Sequence, residues 1–390
     1  MGETFDPHRM RYPSWVEVAQ VLTRHPGPAE REACVVIHVA LLLGCAVVIY
    51  LACEWFVNAV EWLGLQLDVG PMAVGTILAA VGTALPESVV TLVAVTFGGG
   101  PQGKDIGVGA ALGGPLVVGT IAYATIGATL IVRRWQARRR QTAPAKASDA
   151  RDPDGGSAGA PVDPAGTIVG INTGRLTRDQ TWFLAIFVVK VGLGLIDFAL
   201  KRWLGLAFFA AYAVYFWREL RGGGQSSAED LEPLKLQPRR AVPSKLAVVT
   251  QTLTTLALIF LASQVFVGQL QWAGPALGLS PVVVALLLSP LATELPEIMN
   301  ALIWVRQGKT QLALSNISGA MMIQATVPSG LGLLFTPWRF DTPLLLAGLA
   351  TIAAVIYLQV LLRTQRLSPG RLTATAVFYS GFALALALTV

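Results

Sequence analysis

Apolar runs of about 20 residues, each long enough to cross roughly 30 Å of hydrocarbon, recur along the chain with short polar stretches between them. Ten runs stand out, near 34–59, 70–97, 105–132, 180–199, 203–220, 246–270, 279–305, 311–336, 343–363 and 371–390. A span in lipid must satisfy its own backbone hydrogen bonds, so each run predicts a helix. Trp55, Trp62, Trp182, Trp203, Trp217, Trp272 and Trp338 fall near the ends of these runs, where interfacial aromatic belts form. Three polar segments interrupt the pattern: residues 1–33, 134–175 with "DPDGGSAGAPVDP" at its centre, and 221–245. The second is too poor in bulky apolar residues to pack and reads as a disordered linker. The third divides the chain into halves of five spans, 34–220 and 246–390.

Composition agrees with this pattern. Of 390 residues, 54% are hydrophobic and 13% charged, and the mean hydropathy is +0.59. The expected fold class is an all-α polytopic membrane protein, with the lipid bilayer as its main partner. The net charge of +6 resides in loops. The loops after the third, fifth, seventh and ninth runs hold 20 of the 29 Lys and Arg residues, among them Arg138–Arg140, Arg175, Arg178, Lys235 and Arg306. The opposite loops hold Lys104, Lys201, Arg202 and Arg339. The positive-inside rule then places the basic loops in the cytoplasm and both termini outside, although Arg9, Arg11, Arg24 and Arg31 pull the N-terminal segment the other way. The expected location is the plasma membrane, or the inner membrane of a bacterium. No cleavable signal peptide is read, because residues 1–32 are polar and the first apolar run is too long for one. The basic charge speaks to orientation rather than to nucleic acid.

The two halves share a sequence. "PMAVGTILAAVGTALPESVVTLVAVTFG" (71–98) aligns without gaps on "PVVVALLLSPLATELPEIMNALIWVRQG" (281–308), at an offset of 210 and with ten of 28 positions identical. Thr83, Leu85, Pro86 and Glu87 recur as Thr293, Leu295, Pro296 and Glu297. Each copy is the second span of its half. An odd number of spans per half makes the two copies enter the membrane in opposite senses, so the chain reads as two inverted five-helix repeats. Matched, interrupted helices in inverted repeats mark the midplane binding site of secondary transporters.

The residue chemistry fits a cation. Pro86 and Pro296 lack an N–H, which frees the carbonyls of Gly82 and Ala292. Thr83 shares a helix face with Glu87, as Thr293 does with Glu297. Each copy therefore offers a carboxylate, a hydroxyl and a loosened carbonyl, hard oxygen donors suited to Ca²⁺ or Na⁺. A glutamate at that depth costs about 2.5–3.5 kcal/mol on insertion, so a cation, a proton or water must attend it. Glu294 adds a third carboxylate, three residues before Glu297. Three such groups in a low dielectric do not all stay ionised, so Glu294 is either a proton carrier or an extra ligand.

At these residues the chain resembles the calcium/cation antiporter superfamily, the sodium/calcium exchangers in particular, whose two α-repeats read approximately G-T-S-L-P-E followed in the next helix by G-N-x-x-G-S-N. Here "GTALPE" (82–87) and "ATELPE" (292–297) stand for the first element, within α-repeats at 70–132 and 279–336. The resemblance implies exchange of Ca²⁺ against Na⁺ or H⁺ by alternating access, with Glu87 and Glu297 as the central ligands and no bound cofactor. The second element departs from the pattern. "VGAALGGP" (108–115) carries Ala110, Gly114 and Pro115, and "LSNISGAM" (314–321) keeps Asn316 but has Ala320 and Met321. Ala84 and Glu294 replace the two serines of the LPE motifs. The cation-binding set read from the sequence is Glu87, Glu297, Glu294, Thr83, Thr293 and Asn316, with helix breaks at Pro86 and Pro296.

Two further readings stay open: a proton-coupled exchanger of another cation, and a membrane scaffold or sensor that does not transport. An enzyme is not expected, because His8, His25 and His38 lie at or before the first span and no nucleophile–base pair or metal cluster is visible. Cys34, Cys45 and Cys53 read as small apolar packers. Lys190 and Asp197, seven apart, are expected to pair loosely or to snorkel to opposite interfaces. Glu54 and Glu61 are expected to be solvated.

Overall fold

The computed structural model describes residues 28–68, 73–80, 82–84, 88, 91–92, 101–142, 167–221, 231–276, 278 and 284–389. Regular structure among them is helical. In chain order the helices are α1 (Pro28–Gln66), α2 (Pro101–Val117), α3 (Tyr123–Thr142), α4 (Thr173–Leu195), α5 (Leu204–Arg221), α6 (Lys245–Ala276), α7 (Ser289–Thr293), α8 (Leu295–Arg306), α9 (Thr310–Phe335), α10 (Thr342–Arg363), α11 (Pro369–Thr373) and α12 (Ala376–Thr389). Three stretches widen to π-helix: Val74–Ala79, Val118–Ala122, which joins α2 to α3, and Val284–Leu288, which leads into α7. The first and third begin 210 residues apart, the offset of the repeat.

Six helical segments of the described residues are long and apolar enough to cross a membrane, or seven if the bent pair Leu286–Thr293 and Leu295–Arg306 is one span. Ten spans were expected. The fourth and fifth are present as α4 and α5, but charge at Arg175, Arg178, Asp179 and Lys190, and at Arg218, Glu219 and Arg221, keeps them off that apolar set. The second is described only in pieces. The linker expected over 134–175 is narrower than that: α3 runs to Thr142, Ile168 is buried and its N–H donates to the Leu367 carbonyl, and Asn172 caps α4 by accepting from the Arg175 N–H at 3.0 Å. Residues 143–166 lie outside the described residues.

The bundle is built around α9. Of an 18-residue stretch of α9, 83% is buried, against 11% in α1. Helix α9 packs on α8, α2, α4, α5 and the Val74–Ala79 segment, whereas α1 lies along α6. On α1, Val36, Leu43 and Leu51 face outward, as lipid-facing positions must.

Glycines set the closest crossings. A methyl group on Gly319 of α9 would lie 2.2 Å from the Thr76 carbonyl oxygen, and one on Gly75 would lie 2.9 Å from Ser315 Cβ. A methyl group on Gly113 of α2 would lie 2.3 Å from Pro290 Cγ and 3.8 Å from the Leu286 carbonyl. Small residues let membrane helices approach this closely where no hydrophobic force drives them together. Gly113 holds the same place in "VGAALGGP" as Gly319 does in "LSNISGAM", and each crosses a span of the other half: Gly319 at Thr76, and Gly113 at Pro290, four residues after Leu286, the counterpart of Thr76.

Ion pairs, two of them with a buried glutamate, join the helices, and Glu54 and Glu61 are not merely solvated. Glu61, with 6% of its side chain exposed, accepts from Lys309 Nζ at 2.5 Å and from Trp304 Nε1 at 2.8 Å. Glu54 pairs with Lys235 at 2.6 Å. Trp304→Phe removes one charge-assisted donor while keeping most of the ring packing. We expect it to lower stability by about 1.5 kcal/mol, read by thermal unfolding in detergent. Glu219 is buried and accepts from Arg175, from Arg178 and from Thr76 Oγ1, joining α4 and α5 to the first π-helical segment. Asp197 lies beyond the end of α4, outside the membrane-spanning helices, and pairs with Arg339, whose guanidinium holds its carboxyl below the usual range.

Candidate cation site

The motif "ATELPEI" forms the break in a bent helix. Helix α7 ends and α8 begins at Glu294 (φ −85°, ψ 1°), and the two axes differ by 51°. The bend thus falls at Glu294 rather than at Pro296, which occupies the second position of α8. There its missing N–H costs nothing, because the first N–H groups of a helix have no intrahelical acceptor. Glu297 sits in the first turn of α8, where the positive end of the helix dipole favours a carboxylate.

Both carboxylates are buried, Glu294 with 0% and Glu297 with 1% exposure. Helix α9 supplies their neighbours. Gln324 Nε2 donates to Glu294 Oε2 at 2.5 Å, and Asn316 Nδ2 donates to the Glu297 carbonyl at 3.4 Å. Asn316 is fully buried, and its Oδ1 has no hydrogen-bond partner among the described residues. Asn300, one turn beyond Glu297, is also fully buried, and neither polar atom of its side chain has such a partner. Buried amide oxygens without donors are rare and need an explanation, such as an ion or water.

Thr293 is half-buried and donates from Oγ1 to the Pro290 carbonyl at 3.1 Å. Its repeat counterpart Thr83 is buried and donates to the Ala79 carbonyl at 3.1 Å. Both hydroxyls spend their proton on their own helix and keep oxygen lone pairs for another contact. The first half reaches the site through Gly75, whose backbone lies against Leu312, Ser315 and Asn316 of α9. Glu87 and Pro86, the other expected ligand and helix break, lie outside the described residues. So does any contact of Glu87 with Glu294 and Glu297. Among the described residues no three His, Cys, Asp or Glu side chains gather as a metal cluster.

Sequence reasoning missed Asn300 and Gln324. A signal existed for both: Asn300 follows Glu297 by three positions, and Asn316, Ala320 and Gln324 form a stripe at i, i+4, i+8. Lys190 was placed wrongly. It neither pairs with Asp197 nor snorkels, but is fully buried and donates from Nζ to the Ala111 carbonyl at 2.5 Å and to the Gln324 carbonyl at 3.4 Å.

Residues 37–220 and 248–389 match the sodium/calcium exchanger protein family. The chain belongs to that family. The two matched blocks leave out the central polar segment. The CaxA protein of Alkalimonas amylolytica is 24% identical over 304 residues, covering 77% of this chain and 81% of that protein. The inner membrane protein YrbG of Escherichia coli (strain K12) is 22% identical over 304 residues, covering 77% and 80%. Among solved structures, the sodium-calcium exchanger NCX_Mj soaked with Na⁺ and Sr²⁺ has a TM-score of 0.64 at 16% identity, covering 90% of this chain and 99% of that one. The chain is therefore an all-helical, multi-pass membrane protein with the fold of that exchanger, and its family is one of ion carriers rather than enzymes.

Proposed function

We propose that the chain is a secondary cation antiporter that exchanges Ca²⁺ for Na⁺ or H⁺ by alternating access, in a plasma or inner membrane. One observation carries this reading: Glu294 and Glu297 are buried at the break of a bent membrane helix, and Asn316, which donates to the Glu297 carbonyl, has a buried side-chain oxygen with no hydrogen-bond partner among the described residues. Charged groups are kept at that depth where an ion or proton visits them. Glu297, Asn316 and Thr293 provide hard oxygen donors from one half, and Glu87 and Thr83 complete the set from the other. The paired crossings at Gly113 and Gly319 support two inverted five-helix halves that rock about the site. The antiporter in the name of CaxA and the location in the name of YrbG point the same way. Reconstituted protein is expected to take up ⁴⁵Ca²⁺ when an outward Na⁺ or H⁺ gradient is imposed. No gradient-driven uptake of any cation would leave the scaffold reading in its place.

Glu294 favours H⁺ as the counter-ion. It has no equivalent in the first repeat, where Ala84 stands, and its close amide donor Gln324 is neutral. Carboxylates that share a low-dielectric site do not all stay ionised, and Glu294, the one added in the second repeat, is the one assigned to the proton. The Glu294→Gln protein is expected to exchange with a flattened pH profile. A profile with the wild-type slope excludes the proton-carrier role and leaves Glu294 as a ligand.

A further inference from the structure

The two prolines inside α2 and α9 share a consequence. Pro115 lies four residues after Ala111, and Pro328 lies four after Gln324. Neither proline has an N–H to give, so both carbonyls lose their intrahelical donor. Both accept from one group, the Lys190 ammonium, at 2.5 and 3.4 Å. Lys190 lies in the C-terminal third of α4, has no exposed surface, and lies 4.7 Å from the centroid of the Phe187 ring.

A membrane bundle can satisfy a proline-freed carbonyl with a neutral serine, threonine or water. Ser329 already donates to the Gln324 carbonyl at 3.5 Å. A full positive charge is far more costly to bury, and ionisable groups at such depth mark ion pathways. Gln324 also places that charge: its backbone accepts from Lys190 and its side chain donates to Glu294. One residue thus separates the ammonium from the buried carboxylate.

We propose that Lys190 is a resident cation of the transport site. Its ammonium fills a carbonyl site that a free monovalent cation takes when the lysine is removed, and it supplies one of the positive charges that the carboxylates of an exchanger otherwise draw from solution. This rests on the exchange reading for its charge count, but the carbonyl site itself does not. No proton or bond is exchanged in this step; the lysine stays in place while Ca²⁺ and its counter-ion come and go.

The test compares full-length Lys190→Ala and Lys190→Arg with the wild type. Thermal unfolding in detergent, with NaCl or KCl replaced by N-methylglucamine chloride, is expected to show in Lys190→Ala a saturable rise with Na⁺ or K⁺ that is several degrees larger than in the wild type or Lys190→Arg. In proteoliposomes, the reversal potential of Ca²⁺ flux is expected to show one more monovalent cation per Ca²⁺ in Lys190→Ala and the wild-type ratio in Lys190→Arg. A salt response in Lys190→Ala equal to that of the wild type, together with an unchanged coupling ratio, overturns the proposal. Should Lys190→Ala not fold in any salt, the Pro115→Ala, Pro328→Ala, Lys190→Met triple variant restores the helical donors without the charge. It is expected to show the raised ratio, and a wild-type ratio there overturns the proposal equally. A wild type without gradient-driven flux sinks the exchange reading instead, while the salt comparison still decides whether the carbonyls form a cation site.

Discussion

Glu297→Gln is expected to abolish Ca²⁺ exchange while the protein still folds and inserts. The substitution keeps the shape of the side chain and removes its charge. The Asn316 contact is to the Glu297 backbone carbonyl, so it survives. A divalent cation in a water-excluded site depends on its few anionic ligands, because Coulombic attraction there is screened far less than in water. Loss of one of them is expected to weaken apparent Ca²⁺ affinity by at least about 100-fold, or about 2.8 kcal/mol. The variant is also expected to be no less stable than the wild type, since a neutral amide is cheaper to bury than a carboxylate. Loss of uptake with equal or higher thermal stability would separate a transport ligand from a structural group. Exchange at the wild-type rate and affinity would move the site away from Glu297.

The second large effect belongs to a residue with no chemistry of its own. Gly319→Ala places a methyl group 2.2 Å from the Thr76 oxygen, 2.6 Å from its Cα and 2.7 Å from its carbonyl carbon. All three are backbone atoms of a π-helical segment, so no side chain can rotate away. The crossing must open, at the upper end of the usual cost of overpacking, about 3 kcal/mol. It must open beside Asn316, so uptake is expected to fall as well. Gly44→Ala is the control, because a methyl group there meets nothing within 4 Å. Equal melting temperatures for the two variants would mean that the close crossing does not hold the halves together.

Much of this architecture could be read from the chain. Apolar runs located the helices, because lipid leaves the backbone no other partner. The offset of 210 pointed to the bent span and its carboxylates. What escaped were residues whose roles depend on partners distant in sequence. The stripe of Asn316, Ala320 and Gln324 marks a face but does not say that Gln324 meets Glu294, and nothing near Glu61 announces Trp304 or Lys309. Lys190 read as a snorkelling side chain because its length permits it, yet its acceptors come from α2 and α9. Pro115 is the sharpest case. As a letter it was a departure from the family pattern, but in the fold its missing N–H leaves the Ala111 carbonyl to the lysine.

The boundaries of α3 and α4 were missed for a related reason. Arg138, Arg139 and the polar start of α4 look like linker on composition alone. Nevertheless α3 runs through its arginines, with Arg139 stacked 3.6 Å over the Trp135 ring, and Asn172 caps α4. Good helix-forming arginines and one cap extend helices past the edge of the apolar core.

The central claim is that cations cross only by exchange at the buried carboxylates. Counterflow in proteoliposomes of the purified protein tests this most directly. Vesicles loaded with unlabelled Ca²⁺ and diluted into trace ⁴⁵Ca²⁺ are expected to accumulate label transiently, whereas vesicles loaded only with N-methylglucamine are not. Label entering both kinds of vesicle equally, or neither kind under any cation loading, would contradict the account.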